Sequence, residues 1–248
     1  MVILDLQPLL CYNFSMSVFA SIGIVILSML IMAFLQIVPG VFALSYHYAL
    51  GKYSRKHASA LALFFILGAE VISACLFLSS YYLVYVFFLG HSRPEESYLV
   101  WLVAGIFIAL ALSCFFYYYR KKSTATFLSR EHAKALQIQA QKIRKPSDAF
   151  TLGALSNTCE LVFTLPLYII TAIEIMEMHT EYTADSLLTV LYILTPTIPL
   201  IIIYFKFHAH YNLADILKSR AKDKTFTKLI LAFSYLAIAI LILYFRAI

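Results

Sequence analysis

Glu70 and Glu160 each sit inside a long apolar stretch, and Glu160 has polar neighbours at helical spacing. Asn157, Glu160 and Thr164 follow one another at steps of three and four, so on a helix they form a single polar stripe. Carboxylates in such surroundings can bind a cation or exchange protons, and an ionisable group at membrane depth is a functional site by default. Helix breakers accompany them at Pro39, Gly40, Pro166, Pro196 and Pro199, with Gln36 and Thr195 nearby. A proline removes one backbone donor and frees a carbonyl one turn back, and that exposed polar backbone must face protein or a wet cavity. Glu160, Glu70, Asn157, Gln36, Thr164 and Thr195 are therefore the expected substrate or ion site, beside the five breakers as expected helix breaks. The plainer alternatives are a protonated Glu70 that only bonds a neighbouring helix, and prolines that only kink theirs while nearby hydroxyls satisfy the backbone.

The elements that position these groups follow from composition. Of the 248 residues 62% are hydrophobic and 13% charged, too apolar for a soluble domain of this length. A spanning helix needs roughly 20 apolar residues, and six stretches satisfy this: 16–50, 58–89, 98–119, 150–173, 186–205 and 226–245. Seventeen of the nineteen Lys and Arg residues fall in three blocks, at 52–56, 120–145 and 206–228, separated by pairs of apolar stretches. Cytoplasmic loops collect Lys and Arg, so the chain is expected to cross the cell membrane six times with both ends extracytoplasmic. Net charge is +6, but the basic residues flank apolar stretches, where lipid attraction and topology explain them and no nucleic-acid partner is implied.

The expected fold is thus an all-α integral membrane protein, one membrane domain over 1–248. It divides into repeat one at 14–120, a cytoplasmic connector at 121–148, and repeat two at 149–248. The connector carries the helix-forming run 129–140, and Lys145-Pro146-Ser147-Asp148 reads as a helix stop and restart. Each half holds three stretches, and the halves enter from opposite sides, the inverted-repeat plan of many secondary transporters. Glu70 lies 12 residues past Ala58 and Glu160 12 past Asp148; at about 1.5 Å per residue both are roughly 18 Å from the inner boundary, near the middle of a core about 30 Å thick. The third and sixth stretches, with Ser113, Ser234 and otherwise mainly apolar residues, are expected as lipid-facing scaffold.

The segment Phe34-Leu35-Gln36-Ile37-Val38-Pro39-Gly40, followed by Gly51-Lys52 and Gly68-Ala69-Glu70, resembles the opening of LysE-type exporters. Asp148 to Asn157 with Glu160-Leu161, and later Ile198-Pro199-Leu200, is similar to the DsbD and cytochrome c biogenesis membrane family. The resemblance implies six spans in two inverted three-helix repeats and an exporter-like activity. In the thiol-transferring branch cysteines follow the first-span proline and the Glu-Leu-Pro element; here Gly40 and Phe163 occupy those places and Val162 replaces that proline. Cys75 and Cys159 leave a displaced pair open.

The leading expectation is a permease, not an enzyme, that exports a small solute or ion through a midplane site coupled to a cation or proton. It needs no cofactor and no bound metal. The bilayer is its partner, and a homo-oligomer is left open. The alternatives are a non-transporting scaffold, a thiol-disulfide carrier, and an intramembrane metalloenzyme built on His47, His208, His210 and the two acids. The last lacks the ligand spacing of a zinc hydrolase.

Overall fold

The computed structural model describes residues 18–36, 55–90, 96–117, 138–140, 142–158, 161–178, 182–208 and 224–246. Among them there is no strand, and nearly every residue is helical. The helices are α1 (Val18–Gln36), α2 (Arg55–Gly90), α3 (Glu96–Leu112, continuing into a π turn at Ser113–Tyr117), α4 (Pro146–Thr158), α5 (Leu161–Glu177), α6 (Tyr182–Leu194), α7 (Ile198–His208) and α8 (Lys224–Arg246). A 3₁₀ turn at Thr195–Thr197 joins α6 to α7.

Three helical stretches are long and apolar enough to cross a membrane: Val18–Gln36, Lys56–Phe87 and Asp185–Phe205. The pair α4 and α5 is a fourth if counted as one span, bent by 75°. Six were expected. Val100–Phe116 and Leu229–Phe245, within α3 and α8, are shorter apolar stretches. The bundle's exterior is apolar, with Leu63, Leu67, Leu78, Phe87, Trp101 and Phe233 exposed. Such a surface suits lipid, since water would leave a continuous apolar belt unsolvated.

Local chemistry explains how α4 begins. Pro146 takes the first helical position, where its missing N–H is no loss. Two residues on, Asp148 reaches back so that the N–H groups of Arg144 and Lys145 donate to its Oδ2 at 3.2 and 3.1 Å, half of a capping box. These bonds hold the Asp148 carboxyl below the usual carboxylate range, helped by the Lys145 charge.

Described residues at or beside the basic blocks meet at one end of the bundle. His57 Nε2 lies 3.1 Å from the Arg144 carbonyl, and the Ser59 and Tyr204 hydroxyls are 2.6 Å apart. The start of α2, the start of α4 and the end of α7 are therefore neighbours, and α2 and α4 run side by side in the same direction.

That pair packs unusually closely. A Cβ placed on Gly68 would stand 2.0 Å from the Phe150 carbonyl oxygen, and one on Gly153 would stand 2.0 Å from that of Phe65. The contact is reciprocal because Phe65-x-Leu67-Gly68-Ala69 and Phe150-x-Leu152-Gly153-Ala154 repeat one pattern, and small residues let helix backbones approach in lipid. Leu61, Phe65, Ile66, Ala69, Ala149, Leu152 and Leu200 close around it as one apolar cluster. Ala140 and Ile143 join the cluster, so the end of the expected solvated connector is packed against the bundle. Residues 121–137 of that connector lie outside the described residues.

A larger core unites α1, α2, α3, α5, α6 and α8. The third and sixth stretches, expected as scaffold, pack on each other through Phe107 and Tyr235, whose rings are 6.1 Å apart. Tyr235 also donates its hydroxyl to the Phe163 carbonyl at 3.2 Å, a polar tie that the expected scaffold role did not include.

Candidate functional site

Asn157, the penultimate residue of α4, makes a polar junction at the bend. Its Nδ2 donates to the Ala69 carbonyl at 2.9 Å and to Ser73 Oγ at 2.5 Å, and its Oδ1 accepts from Gln36 Nε2. The Tyr168 hydroxyl donates to the same Ser73 Oγ at 3.3 Å. Four helices, α1, α2, α4 and α5, are thereby joined through one amide and one hydroxyl. Gln36, Ser73, Asn157 and Tyr168 are all buried, and Gln36 Oε1 has no partner among the described residues.

Glu70 follows Ala69 on α2. Both of its carboxyl oxygens are buried and neither has a hydrogen-bond partner among the described residues. The Thr197 side chain of the 3₁₀ turn is its neighbour, but the single Thr197 proton goes to the Leu194 carbonyl at 2.7 Å. A hydroxyl has one proton to give, so Thr197 can accept from Glu70 and cannot donate to it while that bond holds.

The prolines behave differently from one another. Pro196 lies buried within the 3₁₀ turn, and Pro199 is the second residue of α7. Thr195 donates to the Leu191 carbonyl at 2.6 Å, the local use that the plainer alternative described. Pro166 sits inside α5, which is continuous through it; the chain bends earlier, between Thr158 and Leu161. Glu160 and Cys159, like Pro39 and Gly40, lie outside the described residues, as do His47 and His210. Cys75 is a free, exposed thiol on α2.

Beyond the bend, α5 presents a buried polar stripe. Thr164, Tyr168, Thr171 and Glu174 follow at steps of four, three and three, and each is at most 1% exposed. Tyr192 of α6 faces the stripe, with its phenol beside the Thr171 hydroxyl. Phe77 of α2 lies against both tyrosines, its ring 4.8 Å from Tyr192 and 6.2 Å from Tyr168, while the tyrosine rings meet edge to face at 6.1 Å. The Thr164 hydroxyl is buried without a hydrogen-bond partner among the described residues, and those of Thr171 and Tyr192 have none beyond one another.

Of the expected site, the structure joins Gln36 to Asn157 directly, places Thr164 on the stripe, and sets Glu70 on the helix that receives Asn157. Ser73, Tyr168, Thr171, Tyr192 and Glu174 are additions. The α5 residues were findable, because the stripe through Asn157, Glu160 and Thr164 continues with the same period to Glu174. Comparison with family models, with curated proteins and with solved structures gives no match for this chain.

Proposed function

We propose that the chain is a multi-pass permease of the cell membrane, exporting a small solute or ion through a site between its two halves, with Glu70 exchanging a cation or proton. The single observation that carries this reading is the Glu70 carboxyl, whose two oxygens are buried in an apolar-surfaced bundle without a partner among the described residues. An ionised acid at such depth costs about 2.5 to 3.5 kcal/mol on insertion scales. A chain that only needed to fold could carry Gln or Leu there.

Support also comes from the neighbours. The bend of the α4–α5 pair and the 3₁₀ turn beside Glu70 are places where one part of a bundle can move against another. In this proposal the end that gathers His57, Arg144 and Tyr204 is cytoplasmic, the termini are outside, and six spans form two inverted LysE-like repeats. Glu160 would act with Glu70.

The test uses purified protein in proteoliposomes holding a trapped pH-sensitive dye, offered sodium, potassium and a panel of amino acids in turn. Solute-dependent proton movement by the wild type, lost in Glu70→Gln at equal insertion, is the expected result. Flux with unchanged rate and unchanged pH dependence in Glu70→Gln removes the proposal. The second reading, a non-transporting scaffold, is favoured by the tight Gly68–Gly153 contact, and it expects no solute-dependent flux from either protein.

A further inference from the structure

We infer that α5 lines a water-filled proton path, running from Glu174 past Thr171, Tyr192 and Tyr168 to Ser73 and ending at Glu70. The inference rests on the proposed role of Glu70 as the exchanging acid, and it names the proton as the exchanged ion and Glu174 as its loading group.

Several independent observations converge on the path. Glu174 lies one residue past the fourth apolar stretch, yet it is 1% exposed, at the end of the stripe remote from Asp148. Thr164 to Glu174 covers ten residues, about 15 Å of helix, half the thickness of a hydrocarbon core. Along that length the Thr171 and Tyr192 hydroxyls are buried and have no partner among the described residues beyond one another. In lipid each such group is unfavourable by several kcal/mol unless something meets it, and in a polar interior that something is ordered water. The other end of the large core behaves differently: Tyr235, equally buried between α3 and α8, gives its proton to a carbonyl.

The last step is the best defined. Ser73 Oγ accepts from both Asn157 Nδ2 and the Tyr168 hydroxyl, which leaves its own proton to be donated. Glu70 lies three residues earlier on α2, on the adjoining face of the helix. A proton delivered to the carboxylate of Glu174 forms an O–H bond there. When it moves on, each water or hydroxyl oxygen accepts one proton and releases its own to the next. Tyr192, Thr171, Tyr168 and Ser73 end neutral as they began, and the final O–H bond forms on the Glu70 carboxylate. Nothing is oxidised or reduced.

Two measurements on the full chain in nanodiscs test this. Radiolytic hydroxyl-radical labelling marks side chains that touch water: Tyr168 and Tyr192 should be labelled despite their burial, whereas Tyr235 and Phe107 should not. Tyrosines as unreactive as Tyr235 overturn the path, and no variant is needed to see it. Infrared spectroscopy then follows deuterium exchange of the protonated Glu70 carboxyl, with Glu70→Gln identifying its band. Exchange about tenfold slower is expected in the double variant Thr171→Val, Tyr192→Phe, because removing a relay hydroxyl takes away roughly one hydrogen bond from the moving proton; an unchanged rate overturns the path. Solute-driven flux with dry tyrosines would remove the path and leave the permease. Exchange that depends on Tyr192, without any flux, would do the reverse.

Discussion

Within α2, the residues up to Ala69 and the residues from Glu70 onward meet the second half of the chain in opposite ways. From Leu61 to Ala69 the helix lies against α4 with backbone nearly touching backbone at Gly68 and Gly153, inside a wholly apolar cluster. From Glu70 to Phe77 it meets Asn157, Tyr168 and Tyr192, among groups with unpaired oxygens. Dispersion over a close surface fixes the first contact and leaves no room for water. Polar groups that outnumber their partners make the second hydratable. A helix with one end fixed and the other wet suits a bundle that moves about a stationary contact.

The largest expected effect comes from breaking the fixed end. Gly68→Ala puts a methyl group 2.0 Å from the Phe150 oxygen, and Gly153→Ala does the same at Phe65. Backbone must shift in either variant, so each should be destabilised by more than about 4 kcal/mol, read as the disappearance of a cooperative transition in reversible detergent unfolding. Gly23→Ala and Gly105→Ala are the controls, since nothing lies within 4 Å of the added atom. There the helix should gain up to about 1 kcal/mol. Equal behaviour at all four glycines would mean that the α2–α4 contact is not the close one.

A smaller loss is expected at the wet end. Asn157→Leu removes three hydrogen bonds to Ala69, Ser73 and Gln36. Transmembrane side-chain bonds average about 0.6 kcal/mol each, so roughly 2 kcal/mol should go. Because Asn157 ties Gln36 to α2, the variant should also make Ser73 and Tyr168 easier to label by water-borne radicals. A variant as stable as the wild type would reduce the junction to local decoration.

The fixed end was less legible in sequence than the wet one. Apolar stretches, basic blocks and the restart at Pro146 are composition and local chemistry, and they anticipate an all-helical, apolar-surfaced chain and the start of α4. Asn157 and Gln36 announce themselves as amides within apolar runs. The Phe-x-Leu-Gly-Ala pattern at 65–69 and 150–154 is visible too, but the sequence does not say that these two helices are neighbours. Glu174 falls outside the fourth stretch because hydropathy ends a span at the first charge, while burial depends on what packs alongside. The bend falls between α4 and α5 and not at Pro166. Pro166 lies near the start of α5, and only the Val162 carbonyl loses its helical donor there.

The smallest effect is expected at the solvated start of α4, where the same helix that is fixed at Gly153 and polar at Asn157 is held by a carboxylate in water. Asp148→Asn keeps an acceptor for the Arg144 and Lys145 N–H groups but removes the charge that strengthens those bonds. The native Asp148 has its pKa lowered, by the two backbone bonds first and by Lys145 as well. A lowered folded pKa means that the stabilisation is fully present above the unfolded value, about 3.9, and is lost as pH falls through the lower folded value. The Tm of wild type should therefore exceed that of Asp148→Asn by a small, constant amount near neutrality, and the two should converge as the pH is taken below about 4. A gap that widened on acidification would mean that Asp148 is stabilised in its protonated form, against the two donors aimed at it. Gly68→Ala and Asn157→Leu act through packing and through an amide that does not titrate, so their losses should not converge with wild type over the same range.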